Sequence, residues 1–176
     1  MTRLHSTSGL SAHEHARAWL WGGTFLGLGL GGFFDGIVLH QILQWHHMVS
    51  SQYPPNTVEN LRINTLGDGL FHAATWVFTV LGLFLIWRGT RGQHAPWGTS
   101  ALIGSLLFGW GLFNVVEGGV NHHLLGIHHV RPGAYQLAYD LGFLVWGAVM
   151  LVAGRAMMRT PAQDTPTRRA IRGGRQ

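Results

Sequence analysis

Residues 27–48, GLGLGGFFDGIVLHQILQWHHM, recur in altered form as residues 109–130, GWGLFNVVEGGVNHHLLGIHHV. The two stretches align without a gap at an offset of 82 residues, and nine of their 22 positions are identical. Each contains an acidic residue followed by glycine, a histidine four residues later, and a histidine pair six residues after that. Apolar helices of similar composition match at Gly and Leu, but composition does not place three histidines and a carboxylate in register. The pattern predicts a chain built from two tandem helical hairpins.

The composition excludes several classes of protein. The chain has 176 residues, of which 47% are hydrophobic and only 11% are charged, whereas a typical soluble domain is about 25% charged. The low charge excludes a disordered polar protein. The absence of Cys excludes a disulfide scaffold, a thiolate zinc finger and a cysteine-ligated iron–sulfur protein. The 12 His residues equal the 12 Arg in number, and there is no Lys.

Four apolar stretches approach the length of about 20 residues that crosses a bilayer. They predict spans at about residues 18–43, 66–87, 97–123 and 134–156. A chain of this size could not bury four such helices in a soluble core. We therefore expect an all-α fold, an integral membrane four-helix bundle over residues 17–158, whose two hairpins form a parallel repeat with a pseudo-two-fold axis along the membrane normal. Ser11 and Glu14 have the spacing of a capping box that would begin the first helix.

Arginine placement predicts the orientation. Ten Arg lie in the N-terminal segment, the loop between spans two and three, and the C-terminal tail, against two in the other loops. By the positive-inside rule, both termini are cytoplasmic in a multi-pass protein of the bacterial inner membrane. Residues 1–16 then form a cytoplasmic segment, and residues 159–176 form a disordered basic cytoplasmic tail. No basic patch is interleaved with aromatic residues, so we expect the lipid bilayer and not nucleic acid as the partner.

Histidines and carboxylates gather toward the outer ends of the spans. With a rise of about 1.5 Å per residue, they form a deep layer, a second layer one to two turns above it, and a cap at the outer mouth. The deep layer is Asp35, His72, Glu117 and Asp140; the second is His40, Asp68 and His122; the cap is His46, His47, His128 and His129. His123, beside His122, completes the candidate metal ligands. Helical spacing further predicts that His40 and His47 share one face, as do His122 and His129.

Intramembrane carboxylates are costly and need partners, and the predicted spans contain no Lys and no Arg except Arg155 at the inner end of the fourth. A single histidine in a span commonly links helices by a hydrogen bond, and Asp68 could simply cap a helix. The repeated set favours a metal site, because a divalent cation would offset the carboxylate charge and hold the imidazoles neutral. Imidazole with carboxylate suits Zn, Cu(II) or Fe, whereas Cu(I) carriers prefer Cys and Met.

The same motifs resemble a known family. The segments GFFDGIVLHQILQWHHM, DGLFHA and GLFNVVEGGVNHHLLGIHHV are similar to those of an uncharacterised bacterial membrane family, domain-of-unknown-function family 2243. The resemblance covers roughly residues 18–158. It implies a small polytopic inner-membrane protein, and it implies no activity.

Four functions remain open at this point. The leading hypothesis is a protein that binds one or two transition-metal ions near its periplasmic face, for metal handling or respiratory enzyme assembly. Its expected partner is a periplasmic protein that donates or accepts the metal. A homo-oligomer is one of the assemblies that this hypothesis allows. The second is a membrane non-haem di-metal oxidoreductase, although the His spacing and the side of the membrane differ from the known hydroxylases. The third is a haem protein with paired histidines such as His40 and His122. The fourth, an ion conductor, is disfavoured by the apolar cytoplasmic half.

Overall fold

The computed structural model describes residues 11–91 and 98–159, and these are helical apart from the loops that join the helices. The elements are α1 (Ala12–Phe34), π1 (Asp35–Ile42), α2 (Val58–Thr90), α3 (Thr99–Glu117), π2 (Gly118–Leu124) and α4 (Gln136–Arg159). The π-helical segments continue α1 and α3 directly, so residues 11–91 and 98–159 form four helical units. The predicted all-α, four-helix fold is confirmed.

All four units are long and apolar enough to cross a membrane: His13–Ile42, Val58–Thr90, Thr99–Leu124 and Gln136–Arg159. The second unit begins eight residues before the predicted span, because Thr57 caps it by accepting a hydrogen bond from the Asn60 amide at 3.1 Å. The first begins at the predicted capping box, in which Ser11 and Glu14 bond each other's backbone amides. Residues 1–10, 92–97 and 160–176 lie outside the described residues, and with them most of the predicted N-terminal segment 1–16 and of the predicted tail 159–176.

The helices pack in the order α2, α1, α3, α4. The two inner helices, α1 and α3, contact each other, while α2 packs mainly on α1 and α4 mainly on α3. Leu66 and Leu70 on α2 and Val145 and Val152 on α4 are more than 60% exposed. The outward faces of α2 and α4 are therefore apolar, as contact with lipid requires.

Glycines bring the inner helices into backbone contact. A Cβ on Gly27 of α1 would overlap the carbonyl oxygen of Leu106, and a Cβ on Gly109 of α3 would overlap that of Thr24. These pairs are equivalent at the offset of 82, so the crossing is made by the same positions of both halves. Close approach of this kind is how membrane helices gain van der Waals contact without a hydrophobic driving force.

We predict that Gly27→Ala destabilises the protein, because the added methyl would have to displace backbone at the α1–α3 crossing. Overpacking of this kind costs about 1–3 kcal/mol. The measurement is the thermal unfolding midpoint of the detergent-solubilised protein. Gly142→Ala on α4 is the matched control, since a Cβ there meets no atom within 4 Å. Equal midpoints for the two variants would contradict the prediction.

Candidate functional site: a buried histidine and carboxylate cluster

A change of helical register places a carboxylate beside a histidine in each half. In an α-helix, two residues five apart are rotated by about 140° and face different directions. In a π-helix the hydrogen bonds join residues five apart, so these residues come onto one side. The register change begins at Asp35 in the first half and around Glu117 in the second. His40 Nε2 lies 3.1 Å from Asp35 Oδ2, and His122 Nε2 lies 3.2 Å from Glu117 Oε2.

The loops after the π-helices fold back and bring in a second histidine from each half. The Trp45 amide donates to the Leu39 carbonyl at 2.9 Å, and the Ile127 amide donates to the Asn121 carbonyl at 3.0 Å. His46 and His128 are therefore buried, with 3% and 1% of their surface exposed, and their rings stack at 4.7 Å between centroids. They were predicted to cap the outer mouth, and that prediction is wrong because the helices end at Ile42 and Leu124.

We call these six side chains the inner cluster: Asp35, His40, His46, Glu117, His122 and His128. Two trios within it have ligand atoms all within 4.8 Å of one another. One trio is His40, His46 and His128, and the other is Glu117, His122 and His128. The cluster thus collects four imidazoles and two carboxylates from both halves of the chain.

Each half holds the imidazole of the other through a backbone carbonyl. His46 Nδ1 donates to the Val130 carbonyl at 2.8 Å, and His128 Nδ1 donates to the Met48 carbonyl at 2.9 Å. A ring that donates through Nδ1 presents its Nε2 inward, toward the cluster. His128 Nε2 lies 2.7 Å from Glu117 Oε1, and His46 Nε2 lies 4.0 Å from Asp35 Oδ1.

Two further carboxylates, Asp68 on α2 and Asp140 on α4, surround the inner cluster; we call them the outer carboxylates. Asp68 accepts from His40 Nδ1 at 2.8 Å, from His47 Nδ1 at 2.7 Å and from the Met48 amide at 2.8 Å. Such partners fix the tautomer and orientation of ligating histidines in metal proteins.

Asp140 makes the equivalent contacts in the second half. It accepts from His129 Nδ1 at 2.7 Å and from the Val130 amide at 2.9 Å, and it lies 3.5 Å from His122 Nδ1. Sequence depth placed Asp140 in the deepest layer with Asp35 and Glu117. That grouping is wrong. Asp140 bonds the loop after π2 just as Asp68 bonds the loop after π1, so Asp140 belongs with Asp68.

The predicted pairs His40 with His47 and His122 with His129 do meet, but through the outer carboxylates. Their ring centroids lie 6.5 and 6.4 Å apart. The helical argument for them does not apply, since His47 and His129 lie beyond the helix ends.

Two of the predicted ligands lie apart from the cluster. His72 is half-buried on α2 against Gly36 and stacks on Phe33, and it makes no ion pair with a carboxylate in the described part of the chain. His123 is exposed.

Several buried polar atoms of the inner cluster have no hydrogen-bond partner among residues 11–91 and 98–159. They are both Asp35 carboxylate oxygens, Glu117 Oε2, the Nε2 atoms of His40 and His46, and both ring nitrogens of His122. Buried polar groups are nearly always satisfied, and an exception calls for a physical explanation such as a bound ion. Burial in the cluster lowers the pKa of His46 to about 2, so this ring stays neutral and keeps its Nε2 lone pair at physiological pH.

Asn64 on α2 anchors the first loop, and the sequence pattern did not single it out. Its side chain is fully buried; Oδ1 accepts from the Val49 amide at 3.2 Å, and Nδ2 donates to the Tyr53 carbonyl at 2.7 Å. The available signal was an amide four residues before Asp68, on the same face of the helix. The Met48 and Val130 carbonyls that orient histidines carry no sequence signal at all.

We predict that Asn64→Ala lowers stability by about 1–3 kcal/mol, because buried backbone groups of the loop lose their partners. The measurement is thermal unfolding in detergent. Asn56→Ala is the matched control, since Asn56 lies exposed in the same loop. The prediction fails if both variants unfold at the temperature of the unchanged protein.

Comparison with known proteins gives a family and no activity. No curated protein and no solved structure matches the chain. A family model, described as a predicted membrane protein (DUF2243), matches residues 22–161. This range contains all four helical units except the first turns of α1, together with the whole inner cluster. The chain therefore belongs to the DUF2243 family of predicted membrane proteins.

Proposed function

We propose that the protein binds a divalent transition-metal ion in the inner cluster. The observation that carries the proposal is the convergence of buried ring nitrogens and carboxylate oxygens that lack hydrogen-bond partners. An unpaired carboxylate buried in low dielectric costs several kcal/mol. A divalent cation compensates two such charges at once, and it uses the imidazole lone pairs that are otherwise unsatisfied.

The surroundings of the cluster also suit a metal. Four imidazoles have their Nδ1 atoms directed at acceptors outside the cluster: the outer carboxylates for His40 and His122, and backbone carbonyls for His46 and His128. The Nε2 atoms of His40, His46 and His122 have no hydrogen-bond partner among the described residues, whereas that of His128 meets Glu117 Oε1 at 2.7 Å. Charge supports the same conclusion, because the described ion pairs of Asp35, Glu117 and the outer carboxylates involve histidine alone, without Arg.

Ligand type limits the metal to those that accept imidazole with carboxylate, namely Zn, Cu(II) or Fe. Within the described residues Met48 is the nearest soft side chain in the sequence, and it contributes its backbone to the site. With the orientation given by the Arg distribution, the cluster lies near the periplasmic face. The function that we propose is therefore metal handling on the periplasmic side of the membrane, for example during the assembly of respiratory enzymes.

A membrane di-metal oxidoreductase is the alternative. Its supporting observation is the number of donors, since four imidazoles and two carboxylates provide three donors for each of two ions. The arrangement is less suited to a bis-histidine haem. The His46 and His128 rings stack on each other, and the His40 and His46 centroids lie only 4.3 Å apart. A haem macrocycle therefore does not fit between the two rings of either pair.

We predict that the protein purified in detergent carries stoichiometric Zn, Cu or Fe and that the double variant His40→Ala, His122→Ala loses it. Both rings are buried and direct Nε2 into the cluster. The measurement is metal content per chain together with the visible spectrum. Zn or Cu without a Soret band supports metal handling, whereas two Fe per chain would favour the enzyme.

Two further variants calibrate this experiment. His123→Ala is the matched control, because it removes an exposed imidazole adjacent to His122; it retains the metal. Asp68→Asn keeps the ligands and weakens their support, for which a loss of about 10–100-fold in affinity is expected. The proposal is contradicted if the purified protein contains no metal, or if the His40→Ala, His122→Ala variant binds as much metal as the unchanged chain.

The orientation has its own test. The chain has no Cys, so single cysteines introduced at Ser51 and at Gly173 are unique labels. We predict that an impermeant thiol reagent labels the Ser51→Cys protein from the periplasmic side and the Gly173→Cys protein only after the membrane is opened. Labelling of both from one side would refute the Arg argument.

A further inference from the structure

A cavity opens beside the inner cluster at the loop end of the bundle. Its volume is about 590 Å³, and its wall includes His46, His47 and His129 together with Trp45, Ser51 and Leu61. His46 is a member of the inner cluster, so the cavity lies directly against the cluster, although the His46 ring itself is buried. Residues of both halves contribute to the wall, which places the cavity between the two loops.

His47 and His129 are suited to meet an ion in this cavity. Each donates through Nδ1 to an outer carboxylate at 2.7 Å, which leaves the Nε2 lone pair of a neutral ring available. Their side chains are 16% and 23% exposed, whereas those of His40 and His122 are fully buried. The two rings are thus the accessible imidazoles next to a buried set.

The six imidazoles form a continuous row with these two at its ends. Successive ring centroids along the row lie 6.5, 4.3, 4.7, 4.9 and 6.4 Å apart, in the order His47, His40, His46, His128, His122 and His129. At such spacings an ion can gain one imidazole before it leaves another. Loading by ligand exchange then needs no stage at which a bare cation enters low dielectric.

We propose that His47 and His129 are uptake ligands, one at each end of the row, and that a hydrated divalent transition-metal ion is captured in the cavity by either ring before it passes to the inner cluster. The inference rests on the proposed function for its second step, and the capture step stands on the cavity and the two accessible rings. Each capture ligand is supported by the same outer carboxylate that orients an inner ligand. The outer carboxylates therefore stabilise positive charge at both stages.

The test is the loading of metal-stripped full-length protein in detergent with Co²⁺, followed by absorption in a stopped-flow instrument and by equilibrium dialysis. The unchanged protein is expected to show a weak, rapidly exchanging ion and a tightly held one. In the double variant His47→Gln, His129→Gln each imidazole is replaced by an amide, which is able to donate a hydrogen bond to a carboxylate but has no ring-nitrogen lone pair for the ion. We expect this variant to lose the weak ion and to load the tight site at least tenfold more slowly.

Ser51→Trp provides a second variant, because it narrows the cavity at an exposed wall position without altering a histidine. We expect slower loading with the weak ion retained. His123→Gln is the control and loads at the rate of the unchanged protein. Retention of the weak ion in the double Gln variant, or loading at the unchanged rate in both variants, overturns the assignment of the uptake ligands. A chain that holds the weak ion and no tight one instead contradicts the proposed function and leaves the capture step supported.

Discussion

Two carboxylates buried among apolar helices, Asp35 and Glu117, impose the constraint on which the rest of the site depends. Burial in low dielectric has to be compensated, and within the described part of the chain the ion pairs of these residues are all with histidines. Four imidazoles must therefore reach a small volume from two halves of the chain. The π-helical register, the returning loops and the outer carboxylates each serve to place or orient one of these rings.

The two halves complete each other. The His46 ring is held by the Val130 carbonyl and the His128 ring by the Met48 carbonyl, so neither loop has its full set of contacts alone. The α1–α3 crossing at Gly27 and Gly109 brings the halves close enough for this exchange. Packing deep in the bundle and chemistry at its end are thereby linked: a change that separates the inner helices also separates the donors of the cluster.

Charge is arranged in two tiers around the candidate metal. Asp35 and Glu117 face the imidazole Nε2 atoms, and the outer carboxylates Asp68 and Asp140 receive the Nδ1 protons. The outer tier is well satisfied, since each of its members accepts from a backbone amide and from ring nitrogens. In the inner tier, both oxygens of Asp35 and Oε2 of Glu117 have no hydrogen-bond partner among the described residues, although Glu117 Oε1 meets His128 Nε2.

The sequence by itself determined the all-α fold, the four apolar units and the residue types of the site, because hydrophobic length and the spacing of Asp35, His40 and their counterparts are properties of the chain. It did not determine which carboxylate serves which ring. Spacing arguments assume 3.6 residues per turn and a helix that continues through His47, whereas the register widens at Asp35 and the helix ends at Ile42. Only the tertiary structure decided these points, because the loop direction depends on hydrogen bonds to the other half, between residues 80 and 84 positions apart.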